Sequence, residues 1–270
     1  MHSVKIGFSI NEILFLISLA TGLCWLAWRL KLRRMSEPPA RKPVWVTFGS
    51  ELFVVVALMF TCRIALADWP KVPSGSMEPT LRVGDYLLVN HLAYGPRLPF
   101  TNTAIEMGQP KRGDVVVFRY PLDVSQFYVK RLIGLPGDRV RFKDGIVSVN
   151  GEPFDSKVLG DGEVEEDQGK VLVRETSAGH SRTLKINPMV QGKEPLNTRQ
   201  APALAQNCEV ERDGLWECLV PPGQYLMLGD NRDNSADSRE WGFMPHEEIY
   251  GKAVRVLINF ADLKRAWTAL

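Results

Sequence analysis

The chain has 270 residues, 45% of them hydrophobic, and a formal net charge of +2 from 33 basic and 31 acidic side chains. That length accommodates one or two domains, and the near-balance of charge excludes the overall basic excess of a nucleic-acid-binding protein. Residues 1–68, however, hold eight basic and four acidic side chains, a local surplus that reads as an orientation signal beside apolar segments.

Two such segments open the chain. Ile13 to Trp28 is uncharged and, extended back to Ile6, is long enough to cross a bilayer at about 1.5 Å per residue. Ser18-Leu19-Ala20 offers a weak cleavage site for a removable signal peptide. The flanking charges have the opposite polarity, with Lys5 before the span and Arg29, Lys31, Arg33, Arg34, Arg41 and Lys42 after it. A second span runs from Trp45 to about residue 68, with Glu51 and Arg63 able to snorkel to opposite surfaces. The resulting hairpin has a cytoplasmic basic loop over 29–44 and brings Glu12 and Arg63 to similar depth, where they are expected to pair. Trp25, Trp28, Trp45 and Trp69 fall near the interfaces, as aromatic belts do. Two crossings put the rest of the chain outside, which in a bacterium is the periplasmic side of the inner membrane.

Beyond this anchor (1–69) the chain reads as short strands between turn formers, at Tyr86–Asn90, Asp114–Tyr120, Phe127–Leu135, Arg139–Phe142, Ile146–Val149, Gln224–Leu228 and Ala253–Phe260. Turn signals include Lys143-Asp144-Gly145, Val149-Asn150-Gly151 and Pro221-Pro222-Gly223. The fold class is mainly β, with one β-rich domain built from 70–151 and 215–270. The more polar, less periodic stretch 152–214 is expected to be a smaller inserted region of looser β and loop structure. Cys24 and Cys62 lie within apolar runs as small buried hydrophobes. Cys208 and Cys218 bracket a short polar stretch; they either close a hairpin by a disulfide, if this part faces an oxidising compartment, or stay as free thiols.

Chemistry concentrates in three segments. Pro73-Ser74-Gly75-Ser76-Met77-Glu78-Pro79-Thr80-Leu81 is a turn-prone peptide with two serines just past the second span. A serine nucleophile needs a base, yet none of the four histidines has a setting that suggests a triad. Lys130 lies in Phe127-Tyr128-Val129-Lys130-Arg131-Leu132-Ile133, where period-2 alternation gives it an aromatic and an aliphatic neighbour on its own face. With a reference pKa near 10.4 only about one lysine in 2,500 is neutral at pH 7, and desolvation by an apolar wall raises that fraction. The third segment, Gly229-Asp230-Asn231-Arg232-Asp233-Asn234-Ser235-Ala236-Asp237-Ser238-Arg239, hints at a calcium loop. An EF-hand needs Gly sixth and Glu twelfth, and counting from Asp230 those places hold Ser235 and Trp241. Neither a metal nor a cofactor is expected.

The three segments, in this order, resemble the bacterial type I signal peptidases (leader peptidases), over residues of about 70–150 and 220–260 plus the two-span anchor. The resemblance implies a Ser–Lys dyad in a β-rich signal-peptidase-like domain. In it Ser76 would be the acylating nucleophile and Lys130 the general base. The Ser74 hydroxyl and Ser76 N–H would form the oxyanion hole, Ser235 would hydrogen-bond and orient the Lys130 amine, and Asp237 and Arg239 would buttress that loop as an ion pair. Val72, Met77, Leu81, Tyr128 and Val129 would line shallow apolar pockets for small residues at the first and third positions before the cut. One departure is Glu240, where the family usually has an aromatic residue. The implied substrates are signal-peptide-bearing preproteins, met at the lipid bilayer and beside the protein-export channel; no nucleic acid is implied. The tether from Asp68 to Ser76 reaches at most about 26 Å, so nucleophile and cut site would meet at one depth. A specialised pilus or conjugation peptidase, a repressor-type self-cleaving protease and a catalytically silent membrane-anchored binding protein are the alternatives.

Overall fold

The computed structural model describes residues 10–35, 43–95, 106–143, 146–159, 169–177, 180–188, 195–211 and 215–270. It divides into two compact units, Met1–Ala67 and Asp68–Leu270. The first is a pair of helices, α1 (Ile10–Arg34) and α2 (Val44–Thr61), the second continued by one π-helical turn at Cys62–Leu66. Both are long and apolar enough to cross a membrane. They run antiparallel, since Phe15 packs on Phe60, Trp25 on Phe53 and Trp28 on Trp45. Small residues allow this approach: a Cβ on Gly22 would meet the Phe53 ring at 2.9 Å, and one on Gly49 would meet Cys24 Cβ at 2.9 Å. The Glu12 side chain lies outside the described residues, and with it the expected Glu12–Arg63 pairing. So do the Asp144-Gly145 turn and much of the basic loop.

The second unit is mainly β. Its strands are β1 (Ala67–Asp68), β2 (Asp85–Asn90), β3 (Val115–Tyr120), β4 (Asp123–Gly134), β5 (Arg139–Lys143), β6 (Ile146–Val149), β7 (Glu152–Pro153), β8 (Asp155–Val158), β9 (Val171–Ser177), β10 (His180–Ile186), β11 (Cys208–Val210), β12 (Trp216–Leu219), β13 (Gln224–Leu228), β14 (Met244–Pro245) and β15 (Ile249–Asn259). Two short helices, α3 (Pro202–Asn207) and α4 (Ser238–Trp241), complete it. Seven strands form one sheet in the order β1-β2-β15-β3-β4-β13-β14, and five form another in the order β11-β12-β5-β6-β7. Every strand the sequence predicts is present, with ends moved by a few residues. At Val149-Asn150-Gly151 the turn uses positive φ at Asn150 (55°) and Gly151 (87°), which is why Asn-Gly occurs there.

β3 sits deep in the larger sheet and is apolar on both faces. Val115 and Val117 join a core with Val72, Met77, Leu81, Leu87 and Val89, whereas Val116 and Phe118 join one with Leu132, Met227 and Trp241. A third core gathers Phe142, Val147, Trp216, Leu226 and Phe243 around β5 and β12. Cys208 and Cys218 face each other across β11 and β12 and are disulfide-bonded.

The stretch 152–214 departs from the looseness expected of it. β8, β9 and β10 form a three-stranded antiparallel sheet over a small core of Val173, Leu184 and Ile186. Its period is hidden because Glu175 and Lys185 are buried too, held by charged partners rather than apolar ones.

Trp216 is fully buried and stacks on Phe142 at 5.6 Å. Trp216→Ala is therefore expected to destabilise the second unit by about 3–5 kcal/mol, measured by chemical denaturation of the full chain in detergent.

Candidate active site

The segment after the first unit is pinned from below before it exposes any chemistry. Val72 N–H donates to the Asp85 carbonyl at 2.8 Å and Gly84 N–H to the Val72 carbonyl at 3.0 Å. Met77 and Leu81, four residues apart on one turn closed by Leu81 N–H to Met77 O (2.9 Å), are fully buried. This anchors Ser76, itself only 7% exposed, at the floor of a cleft. Ser74 Oγ lies 3.4 Å from Ser76 Oγ.

Lys130 reaches the same point from β4. Its Nζ lies 2.5 Å from Ser76 Oγ and 5.6 Å from the centre of the Tyr128 ring. The side chain is 3% exposed, and burial pulls its pKa from 10.5 down to about 8. Asp237, Asp230 and Glu240 pull it back up, and Arg239 pushes it further down.

The loop 229–239 closes over both. Asn231 N–H donates to the Ser76 carbonyl (3.1 Å) and Asn231 Nδ2 to the Gly75 carbonyl (3.0 Å). Asp237 accepts from Gly229 N–H (2.9 Å) and pairs through both oxygens with Arg239 Nε (2.8 Å) and Nη2 (2.7 Å). Arg239 Nη2 also donates to the Arg232 carbonyl at 2.7 Å. Asp230, completely buried, accepts from Arg131 Nε (2.8 Å), Arg131 Nη2 (2.5 Å) and Thr80 Oγ1 (2.6 Å). Burial alone would raise the Asp230 and Asp237 carboxyls; their arginines hold both below the ordinary value.

Ser235 departs from its expected part. Its hydroxyl oxygen is buried with no hydrogen-bond partner among the described residues and makes no bond to Lys130. It is packed against Gly229, where a Cβ would stand 2.2 Å from Ser235 Oγ and 2.5 Å from the Ser76 carbonyl oxygen. Gly75 is also crowded, but by the carboxylate of Glu78, 2.8 Å from where a Cβ would lie.

The cleft has a volume of about 420 Å³. Of the residues expected to line it, Val72, Tyr128 and Val129 do. Met77 and Leu81 do not: both are sealed in the core beneath the serine turn and support the cleft from behind. Leu87, Val117, Phe127 and Ala236 line it instead.

The model of the signal peptidase family, peptidase S26, matches residues 45–258. The chain is 38% identical over 236 residues to the signal peptidase I of Pseudomonas aeruginosa, a match covering 83% of this chain and 76% of the relative. It is 39% identical over 236 residues to the signal peptidase I of Pseudomonas fluorescens, with the same coverage of both. A crystal structure of a signal peptidase I from Enterococcus faecalis shares 26% identity, covering 53% of this chain and 96% of that one, with a TM-score of 0.31. The chain belongs to the signal peptidase family. It is accordingly a serine endopeptidase.

Several contacts of this signal-peptidase site come from residues that local sequence reading passes over. Asn231 lies in a recognised motif, but its double hold on Gly75 and Ser76 depends on the fold. Lys185 N–H donates to the Asp230 carbonyl at 2.9 Å, its Nζ lies 3.4 Å from Glu78 Oε2, and Lys170 Nζ donates to Asn231 Oδ1 at 3.3 Å. These lysines come from the inserted stretch, where no motif marks them. Among the described residues no group of three or more His, Cys, Asp or Glu side chains could hold a metal.

Because any side chain at position 229 would overlap Ser76 backbone, Gly229→Ala is expected to lower peptidase activity at least tenfold by moving the serine turn. The measurement is cleavage rate at matched folded concentration, and near-wild-type activity would contradict the close approach.

Proposed function

We propose that this membrane-anchored endopeptidase removes N-terminal signal peptides from exported preproteins after small residues, with Ser76 as nucleophile and Lys130 as general base. The observation that carries the reading is the 2.5 Å approach of a buried lysine, its pKa drawn down to about 8, to the Ser76 hydroxyl. A neutral amine has a lone pair free for the hydroxyl proton and needs no third residue to fix a tautomer, as histidine does. Ser76 Oγ attacks the scissile carbonyl as its proton passes to Lys130 Nζ. The tetrahedral oxyanion is held by the Ser76 N–H and the Ser74 hydroxyl. Lys130 returns the proton to the leaving amine as the C–N bond breaks, leaving an acyl-enzyme. A water molecule, deprotonated in turn by Lys130, then hydrolyses that ester and regenerates Ser76.

Asp237 and Arg239 hold the loop that shapes the amine's surroundings. Val72, Tyr128 and Val129 form the apolar wall for the residues before the cut, with Met77 and Leu81 packed behind it. In this reading α1 and α2 both cross the bacterial inner membrane, the basic residues after α1 stay cytoplasmic, and the catalytic unit faces the periplasm. The Cys208–Cys218 bridge suits that oxidising side. Partners are the preproteins, the bilayer and, since the same signal segment leaves it, the protein-export channel.

Ser76→Ala and Lys130→Met are each expected to abolish cleavage of a model preprotein while membrane insertion stays normal; cleavage by purified Ser76→Ala would remove the dyad assignment. The pH profile supplies an independent check. The active form is neutral Lys130, so kcat/KM should rise with pH through about 8 and fall about tenfold per unit below it. The Arg239 cation lowers the Lys130 pKa and Asp237 raises it, so Arg239→Gln is expected to move this limb to higher pH. A limb that stays in place in that variant, or a flat profile in the wild type, would contradict a lysine base.

A further inference from the structure

The proposed oxyanion donor, the Ser76 N–H, belongs to the peptide that joins Gly75 to Ser76. That bond is trans, so the carbonyl and the N–H of this one planar group point in opposite directions. Whatever fixes the Gly75 carbonyl therefore also aims the Ser76 N–H. Two donors converge on the carbonyl: Glu78 N–H at 3.1 Å and Asn231 Nδ2 at 3.0 Å. The first is local to the serine turn. The second is a side chain from the loop 229–239, and its hold depends on which way its amide is turned.

A side-chain amide has a donor end and an acceptor end of nearly the same shape. The Asn231 backbone does not settle the choice between them, since its N–H donates to the Ser76 carbonyl at 3.1 Å whichever way the side chain is turned. Lys170 Nζ donates to Asn231 Oδ1 at 3.3 Å. An ammonium only donates, so Lys170 accepts the oxygen end and leaves Nδ2 to the serine turn. Both ends then select one orientation, and the charge on the ammonium strengthens the selection. Asn231 is buried, so a reversed amide would set its oxygen against the Gly75 oxygen at the cost of two lost hydrogen bonds. Lys170 comes from the inserted stretch, directly before β9. The same stretch reaches the residue that carries the other donor, with Lys185 Nζ 3.4 Å from Glu78 Oε2.

We infer that Lys170 is a positioning residue for the peptidase reaction: acting through the Asn231 amide, it holds the Gly75 carbonyl and so aims the Ser76 N–H at the developing oxyanion. The inference rests on the Ser76–Lys130 reading above. It gives the inserted stretch a part in the chemical step, because an oxyanion donor acts only where its N–H meets the charge that forms in the transition state.

The test is steady-state cleavage of a model preprotein by the purified full chain in detergent, at matched folded concentration. Removing an oxyanion donor outright costs about 10²–10³ in kcat. Lys170→Met only loosens one, and is expected to lower kcat about fivefold with KM within about twofold of wild type. Lys170→Glu supplies an acceptor that favours the reversed amide and should cost about 30-fold, whereas Lys170→Arg keeps a cationic donor and should stay within about twofold of wild type. In an Asn231→Ala background no amide remains to be turned, so Lys170→Met and Lys170→Glu should each add less than about a twofold loss. The inference is overturned by wild-type kcat in Lys170→Glu, by a loss carried in KM, or by losses of equal size with and without the Asn231 amide, which the lysine charge acting at a distance would give. Ser76→Ala, run beside them, separates the two levels. If it still cleaves, the dyad reading falls and the inference with it; if it is inactive while Lys170→Glu keeps full activity, the inference alone falls.

Discussion

Keeping water away from one amine is the constraint on which the rest of this structure depends. A lysine pKa lowered from 10.5 to about 8 corresponds to a bias of about 3 kcal/mol against the ammonium form. Burial is its largest cause, so every element that covers Lys130 bears on the chemistry. β4 supplies the strand, Tyr128 one wall, the serine turn another and the loop 229–239 the roof. The fully buried Met77 and Leu81 hold the serine turn against the sheet, which converts apolar packing into a fixed Ser76–Lys130 distance. Such packing is what preorganisation of the proposed nucleophile and base requires.

The legibility of this arrangement in the sequence followed the range of the interactions. Lys130 could be singled out because its apolar neighbours are two residues away on the same strand, and the period of a strand is fixed. The strands of the larger sheet showed for the same reason: Val115 to Phe118 alternate between two cores. Family resemblance implies a place on the cleft wall for Met77 and Leu81, yet a single turn of backbone puts them on the far side of the serine peptide. The bond expected of Ser235 turns on the placement of a single hydroxyl, which packs against Gly229, a contact that no local window of sequence shows. The inserted sheet was hidden because its strands bury Glu175 and Lys185. Charged residues read as surface in any local window, and only partners such as Arg232, 57 positions away, reverse that.

Those partners explain why a loop so rich in turn formers holds one shape. Two ion pairs fasten it to other elements, Asp230 to Arg131 on β4 and Arg232 to Glu175 on β9, and a third, Asp237 to Arg239, braces it from within. Buried pairs of this kind contribute little net stability, since desolvation offsets much of their attraction. Their value here is directional. A bidentate guanidinium–carboxylate contact fixes the orientation of both partners, and the Arg232 carbonyl, held by Arg239, ties the second pair to the third. The inserted region, poor in recognisable motifs, is thereby part of the scaffold that sets the loop 229–239.

The pairing also solves an electrostatic problem set by the buried amine. An isolated carboxylate close to Lys130 would favour the ammonium form and undo the effect of burial. Asp237 is such a carboxylate, completely buried and acting to raise the Lys130 pKa. Arg239 binds both of its oxygens and acts on Lys130 in the opposite direction. The two charges oppose each other at the amine, and desolvation is left to decide its protonation. The acid can then brace Gly229, and through it the serine turn, without protonating the proposed base. A neutral hydrogen-bonding residue at position 237 would also avoid that protonation, but it would give up the bidentate contact that orients Arg239 and ties it to Arg232. For the proposed dyad, an ion pair, rather than either partner alone, is what reconciles a rigid loop with a lysine able to accept a proton.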